Sequence, residues 1–555
     1  MNSENIAIIS DKNSNLFTKL RLTQFIFFDD LLTDSKISYW LQNNFEQYPK
    51  IDKIVIPVRL GTDDADYLGL RVGLHIRLSR TLKEKRFIPI VFISSETIEE
   101  IIGNQIQNDK LQSGILLFTK GTTLIDFFDF EEKLPLFNEY LNENELLRNV
   151  LPKLKIPNER MQGHQLANEW GAFRLAKFAN IELKTIKHPD DLYFKYQFSL
   201  SNIDIDSKTK NKIGPNSYGC NALLIDDNAS NGWEELIKHI IEIEINKPSS
   251  KFYSISTFEE ANQYQGYEKH DIIFLDLRLK KEEDDSNIYT PAKELSGLKI
   301  LTKIKAINKG IQVIVITASN KAWNMKLLLD EGADAYFIKE SPEIITSDER
   351  SKENYDNFVS NIKYCFERKY LRNICAKINE IKGELQEARD SNPDLTFLEE
   401  IEKQLDIAFE LHYNAKSKEQ FAYAYVTLYM VIELINNYFV KYTGQDNDKQ
   451  WFILDEAEKL KKWELKGKSY MENGEEVKGN KPPEWQKIVG IWKQLWNQTN
   501  DSSISSIYKL IQMRNHFIHN DLKLNVEIYD KKGFEDLFTL VNEILIILIK
   551  KNELK

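Results

Sequence analysis

Four apolar, β-branched runs in one stretch of this chain each end on a residue that can do chemistry. NALLI runs into Asp226 and Asp227, DIIFL into Asp276, QVIVI into Thr317, and AYFI into Lys339. Short runs of this kind read as strands buried on both faces. Helical periodicity near 230–246, 295–308 and 321–331 separates them, and KFYSIS supplies a further strand. Alternation of strand and helix constrains residues 219–345 to a layered α/β fold with a parallel sheet, expected as a doubly wound five-stranded domain. Side chains at the carboxyl ends of such strands project into the crevice where these folds bind ligands.

The residue types suit a metal and a phosphoryl group. Asp226 and Asp227 can hold Mg²⁺ through hard oxygen ligands. Asp276 can be the third metal carboxylate and also the nucleophile toward phosphorus, because a metal offsets the charge repulsion. Lys339 supplies a point charge for a phosphoryl oxygen. Thr317 supplies a small hydroxyl that can move to meet it. ALLIDDN, FLDLRL, SGLKIL, VIVITAS and GADAYFIKES resemble the response-regulator receiver family. The resemblance implies that Asp226 and Asp227 hold Mg²⁺, that a sensor histidine kinase drives phosphorylation of Asp276, and that Thr317 and Lys339 read the phosphate. One departure is KKEEDDSNIYTPAKEL, an acidic lengthening of the loop after Asp276.

Residues 1–125 repeat this layout in weaker form. KIVIPVRL matches FLDLRL, GLRVGLHIRL matches SGLKILTKIK, FIPIVFISS matches VIVITAS, and LLFTKG matches YFIKE. Pro57 stands where the acceptor carboxylate would be, so no acyl phosphate can form at that position. Asp11 lies near the end of NIAIIS, and Ser94, Ser95 and Lys120 remain as polar residues. The stretch reads as a degenerate receiver-like α/β domain kept for packing or partner recognition. The alternative is an unrelated α/β domain with coincident periodicity.

Residues 126–218 read as a helical segment and linker. In HQLANEWGAFRLAKFAN, the residues Leu166, Trp170, Phe173 and Leu175 fall roughly on one face. His164 and Glu169 are five apart and do not share a face as an i,i+4 pair does, so a surface or interface role is expected for them. Residues 346–395 read as a helical connector.

Residues 396–555 are almost all helical by period, interrupted by a polar, Trp-rich insertion at 451–500. Near the end stands IYKLIQMRNHFIHND. Asn515 and His519 are i,i+4 and share a helix face, with Arg514 one step round. His519 lies near the expected helix end, where the dipole favours its protonated form. A histidine can move protons near neutral pH, and an arginine can stabilise charge on a scissile phosphate. A 2′-hydroxyl nucleophile needs no metal, and its absence from DNA would favour RNA. Arg514, Asn515 and His519 resemble the R-N-x-x-x-H signature of HEPN domains, helical bundles common among bacterial defence ribonucleases. AYAYVTLYMVIELINNYFV resembles that family's long core helix, with Glu433 at a commonly polar position. The resemblance implies RNA cleavage without a metal cofactor by a homodimer in which the motifs of two protomers meet. His516 is an additional histidine with a supporting role at most.

The composition fits this reading. A net charge of −11 lacks the basic footprint of a DNA-binding transcriptional regulator. The three cysteines suggest neither a disulfide framework nor a zinc site and fit a reducing compartment. No charged-then-apolar leader opens the chain, LVNEILIILIKK is too short to span a bilayer, and a cytoplasmic protein with no membrane partner is expected. The expectation is a receiver-controlled ribonuclease acting in antiphage defence or growth arrest. The alternative is a non-enzymatic signalling adaptor whose bundle dimerises or binds a partner.

Overall fold

A computed structural model describes residues 6–11, 24–28, 34–45, 48, 50–60, 67–101, 121–126, 139–146, 148, 151, 163–181, 183, 192–200, 220–244, 251–280, 283, 294–318, 322–340, 348–443, 450–454, 460–462, 470–472, 475–477, 484–496, 505, 507, 509–510, 514 and 531–552. The chain folds as two compact units. One comprises Met1–Gly266, Ile272–Thr302 and Val313–Phe366, and the other comprises Tyr267–Asp271, Lys303–Gln312 and Glu367–Lys555.

The first unit opens with β1 (Ile6–Asp11), β2 (Gln24–Phe28), α1 (Asp34–Phe45), β3 (Lys53–Pro57), α2 (Leu68–Leu78), β4 (Ile90–Ser94) and β5 (Thr122–Asp126). These strands form a sheet of order β2-β1-β3-β4-β5, with every pair parallel. Two helices follow, α3 (Gly163–Phe178) and α4 (Leu192–Leu200).

A second set then runs β6 (Asn221–Ile225), α5 (Glu234–Glu244), β7 (Lys251–Ile255), α6 (Phe258–Gln263), β8 (Ile272–Asp276), α7 (Ser296–Ile307), β9 (Gln312–Thr317), α8 (Ala322–Asp330) and β10 (Ala335–Ile338). Its sheet order is β10-β9-β8-β6-β7. Counted from each sheet's own first strand, both orders are 2-1-3-4-5, the doubly wound flavodoxin-like arrangement. The IIFLD and QVIVIT strands are buried along their whole length, as their unbroken apolar runs require. KFYSI has no buried residue and is partly to fully exposed, as befits an edge.

The two copies share a backbone detail as well as an order. The Gly69 N–H donates to the Val58 carbonyl (3.1 Å), and the Gly297 N–H donates to the Leu277 carbonyl (3.0 Å). A Cβ on Gly69 would lie 1.8 Å from the Pro57 carbonyl oxygen, and one on Gly297 would lie 2.2 Å from that of Asp276. In both copies only glycine lets the following helix start this close to the third strand.

The expected 346–395 connector divides at Phe366/Glu367. In α9 (Asp348–Arg368), the side chains of Phe358, Ile362 and Cys365 join the core around the second sheet. In α10 (Tyr370–Ser391), those of Leu371, Ile374, Ile378 and Leu385 join a helical core instead. That core also takes in α11 (Phe397–Asn414) and α12 (Lys418–Phe439). A capping box of Ser417 and Gln420 starts α12, satisfying N–H groups the first turn leaves free.

Beyond α12 the all-helical expectation gives way. Strands β11 (Val440–Thr443), β12 (Gln450–Leu454) and β13 (Leu460–Lys462) pair antiparallel, and β14 (Tyr470–Glu472) pairs with β15 (Glu475–Val477). VKYT and QWFIL are rich in β-branched and aromatic residues, which suit a pleated surface. The Trp-rich insertion is not uniformly polar, since Trp492 and Trp496 are buried core residues. The described chain continues with α13 (Glu484–Gly490) and α14 (Lys531–Asn552). Among the described residues, no helix is long and apolar enough to cross a membrane.

Candidate functional site

The second sheet brings the strand-end residues together. Asp226 follows β6, Asp276 ends β8, Thr317 ends β9 and Lys339 follows β10. Lys339 is fully buried. Its Nζ donates to Asp226 Oδ2 (2.9 Å) and to Asp276 Oδ2 (2.7 Å). The Lys339 N–H donates to the Thr317 carbonyl (2.8 Å), which fixes the two strand ends side by side. Asp226 Oδ1 accepts from the Asn228 N–H (2.8 Å), and Asp276 Oδ1 from the Arg278 N–H (3.2 Å). Asp227 is partly buried and accepts from Asn228 Nδ2 (2.8 Å).

Burial pushes the Asp226 carboxyl up to about 6, against the pull of Lys339 and with the push of Asp276. Burial alone would lower Lys339, but Asp226 and Asp276 together outweigh it and hold the ammonium above its ordinary value. Asp226, Asp227 and Asp276 each offer an oxygen within 4.8 Å of the others. Three carboxylates against one ammonium leave two formal negative charges in a crevice from which water is mostly excluded. A divalent cation matches that excess in charge and in donor type.

Four residues of the pocket escaped the sequence reading. Asn168, on α3, accepts from Lys339 Nζ through its Oδ1 (2.5 Å). The Asn168 carbonyl accepts from Trp233 Nε1 (2.9 Å), and the Trp233 ring lies 5.0 Å from Lys339 Nζ. Arg174 forms a buried ion pair with Glu340 (2.7 Å). Trp233 and Glu340 adjoin motif positions and could have been suspected. Asn168 gave no local signal, being 171 residues from its partner. Of the four residues read as one face of α3, Leu175 packs in the second sheet's core, Trp170 meets Phe173 and Phe194 with tilted rings, and the side chain of Leu166 lies outside the described residues. Glu169 is buried rather than superficial, and the side chain of His164 lies outside the described residues. Of the lengthened acidic loop, Glu283 is described and accepts from the Ser296 N–H and hydroxyl.

Just past the ends of β3 and β4, the first sheet carries a partly exposed ion pair instead. Pro57 ends β3, and two residues on Arg59 pairs with Glu96 (2.9 Å). Tyr67 donates to the same carboxylate (3.2 Å), and its ring lies 4.7 Å from the Arg59 guanidinium. Arg59 holds Glu96 below the usual carboxylate range. Ser94 caps the turn by accepting from the Glu96 N–H, and Ser95 is exposed. Lys120 and the Asp11 side chain lie outside the described residues.

In the helical unit, Arg514 is partly buried and pairs with Glu433 (2.6 Å). Its guanidinium sits 5.1 Å from the centre of the Tyr429 ring. Burial pushes the Tyr429 hydroxyl up, so it stays protonated. Glu433 thus becomes the anchor of Arg514, and Tyr429 is a neighbour the sequence did not suggest. Asn515, His516 and His519 lie outside the described residues.

Comparison with known proteins bears on the α/β part. Residues 2–125 match a family described as an inactive receiver domain. Among curated proteins none matches the chain. Solved structures that resemble part of it include a CheY-like response-regulator receiver domain protein from Methanospirillum hungatei JF-1, at 22% identity, covering 25% of this chain and 96% of that one, with TM-score 0.17. A response-regulator receiver domain protein from Clostridium thermocellum covers 27% of this chain and 98% of its own, at 22% identity and TM-score 0.19. The response-regulator domain of Thermotoga maritima CheB covers 27% and 98%, at 18% identity and TM-score 0.19. The family match falls on the first 2-1-3-4-5 sheet, so residues 2–125 carry a receiver-like parallel α/β sheet, in which Pro57 ends the third strand.

Proposed function

We propose that this chain is a signal-controlled effector in which the receiver-type domain at 219–345 governs a HEPN-like endoribonuclease at 396–555, with an inactive receiver-like domain at 1–125. The observation that carries the reading is the convergence of Asp226, Asp276 and Lys339 at adjacent strand ends of one 2-1-3-4-5 sheet. In this reading Asp276 takes a phosphoryl group from a sensor histidine kinase. Lys339 binds a phosphoryl oxygen, and Thr317 turns its hydroxyl toward another. Asp226, Asp227 and Asp276 hold Mg²⁺, which supplies positive charge where an anion meets a carboxylate. Residues 126–218 link the two α/β parts, and 346–395 carry the signal onward. Within that connector the chain passes from one unit to the other at Phe366/Glu367, in the last turn of α9.

Arg514, Asn515 and His519 are the proposed RNA-cleaving residues, in a homodimer that needs no metal for cleavage. Arg514 stabilises charge on the scissile phosphate, and His519 moves a proton to or from the ribose oxygen. Glu433 and Tyr429 position the guanidinium. The Glu433 ion pair also fits a second reading, a non-enzymatic adaptor in which Arg514 is structural and the bundle binds a partner.

The discriminating experiment first incubates purified full-length protein in Mg²⁺ with or without a phosphoryl donor, and then adds RNA together with excess chelator. The ribonuclease reading expects cleavage by wild type in one of the two conditions and none by Arg514→Ala or His519→Ala. Intact RNA in both conditions supports the adaptor. A role in antiphage defence or growth arrest is proposed only as the setting in which such an effector would act.

A further inference from the structure

An ammonium has three protons to donate. In Lys339 all three are committed, to Asp226 Oδ2, Asp276 Oδ2 and Asn168 Oδ1. The first two acceptors belong to the sheet that builds the pocket. The third arrives from α3, outside the sheet. A phosphoryl group bonded through an Asp276 oxygen ends the carboxylate character of Asp276 and presents several anionic oxygens to Lys339, which take over the Asp276 bond and compete for the other two. Of those two acceptors, Asp226 is a carboxylate and Asn168 a neutral amide, whose hydrogen bond is the weaker. The bond most open to this competition is therefore the one that ties α3 to the pocket.

The rest of the α3 contact is arranged to feel that loss. The Asn168 carbonyl takes the Trp233 indole N–H, so Asn168 is held from both its backbone and its side chain. Gly171, one turn on, lies so close that a Cβ there would be 3.1 Å from both the Glu340 carbonyl oxygen and the Trp233 ring. Arg174 then pairs with Glu340, the residue after Lys339. Ala172, Leu175 and Ala176 are buried in the second sheet's core and anchor the C-terminal half of the helix. Asn168 thus ties the N-terminal half of α3 to Lys339, while the Arg174–Glu340 pair and the apolar anchor hold its C-terminal half.

We propose that α3 is a built-in clasp on the acceptor pocket: Asn168 occupies Lys339, and a phosphoryl group on Asp276 competes with the docked N-terminal half of α3 for that lysine. The proposal rests on the reading of Asp276 as the acceptor. Because such coupling is reciprocal, loosening α3 tightens binding of a phosphoryl group by the factor with which binding loosens α3.

The test uses the full-length protein with Mg²⁺ and beryllium fluoride, a mimic of an acyl-phosphate phosphoryl group. Calorimetry measures affinity, and hydrogen exchange follows the backbone of α3. The clasp predicts faster exchange in the N-terminal half of α3 when beryllium fluoride saturates the wild type. It also predicts that Asn168→Ala binds about tenfold more tightly, the effect of one modest hydrogen bond. Gly171→Leu leaves Lys339 untouched but pushes α3 away, and should tighten binding in the same direction. Unchanged exchange together with wild-type affinity in both variants overturns the clasp and leaves the acceptor reading standing. No binding by any of the three proteins counts against the acceptor reading itself, and the clasp falls with it.

Discussion

Replacing Lys339 with methionine should destabilise the first unit and make it dependent on a divalent cation. Methionine keeps the apolar stem against Trp233 but removes the charge. Asp226, which is fully buried, and Asp276, whose side chain is 9% exposed, then face each other with no cation between them. Removing one partner of a buried charge cluster costs about 3–5 kcal/mol. Asp226 is already shifted upward by burial and can take up a proton, which limits the loss and places the expectation near the lower bound of that range. At roughly 2–4 °C per kcal/mol, melting of the first unit should fall by roughly 6–12 °C in chelator. Mg²⁺ should recover more stability in Lys339→Met than in wild type, because the variant lacks the competing ammonium. Calorimetric melts of both proteins, in chelator and in Mg²⁺, make the comparison. A variant that melts with the wild type in chelator, or gains no more from Mg²⁺, refutes the account of the pocket as three carboxylates balanced by one lysine.

Other consequences are equally direct. His75 is buried, bonds Asp34 Oδ1 (3.0 Å), and is pushed down to about 4 by burial, with Lys195 and Arg71 adding to the effect and Asp34 opposing it. A histidine kept neutral by the fold contributes stability that is complete above about 6.5 and lost as pH falls through about 4. Denaturant titrations should show wild type losing up to roughly 3 kcal/mol more than His75→Gln across that window, and parallel curves would contradict the assignment. Gly69→Ala and Gly297→Ala should each destabilise by more than about 2 kcal/mol, since both place a Cβ inside a carbonyl oxygen's contact distance. Melts near wild type for either would show that the helix starts are not held so close. If the proposed ribonuclease reading holds, Glu433→Ala should reduce RNA cleavage by about tenfold to a hundredfold through loss of Arg514 positioning, because one misplaced group can cost that much. Its stability should change by less than about 1 kcal/mol, as the pair is partly exposed.

The convergence of Asp226, Asp276 and Lys339 was legible because each sits at a strand end. Each apolar run declared a buried strand, and the residue that closed it declared the crevice. The missing carboxylate at Pro57 was legible for the same reason, and the inactive-receiver match to residues 2–125 agrees with it. What replaced it was not legible: the Arg59–Glu96 pair joins residues 37 apart. Asn168 was hidden more deeply. An asparagine on an amphipathic helix has no local mark of its partner, and α3 reaches Lys339 across most of the second sheet's sequence. The division of 346–395 was hidden by a different cause. Helices α9 and α10 carry similar amphipathic patterns, and periodicity gives the buried face of a helix without giving the core it enters. The strands after α12 were obscured by the helical run before them, where VKYT continues directly from YF with no breaker between.

The most direct test of the account is intact-mass measurement of the full-length protein after incubation with Mg²⁺ and a small phosphoryl donor such as acetyl phosphate. The account predicts one added phosphoryl group on wild type, lost in Asp276→Asn and unaffected by changes at the Pro57 copy. A wild-type mass that does not change, or a phosphoryl group that persists in Asp276→Asn, would contradict it.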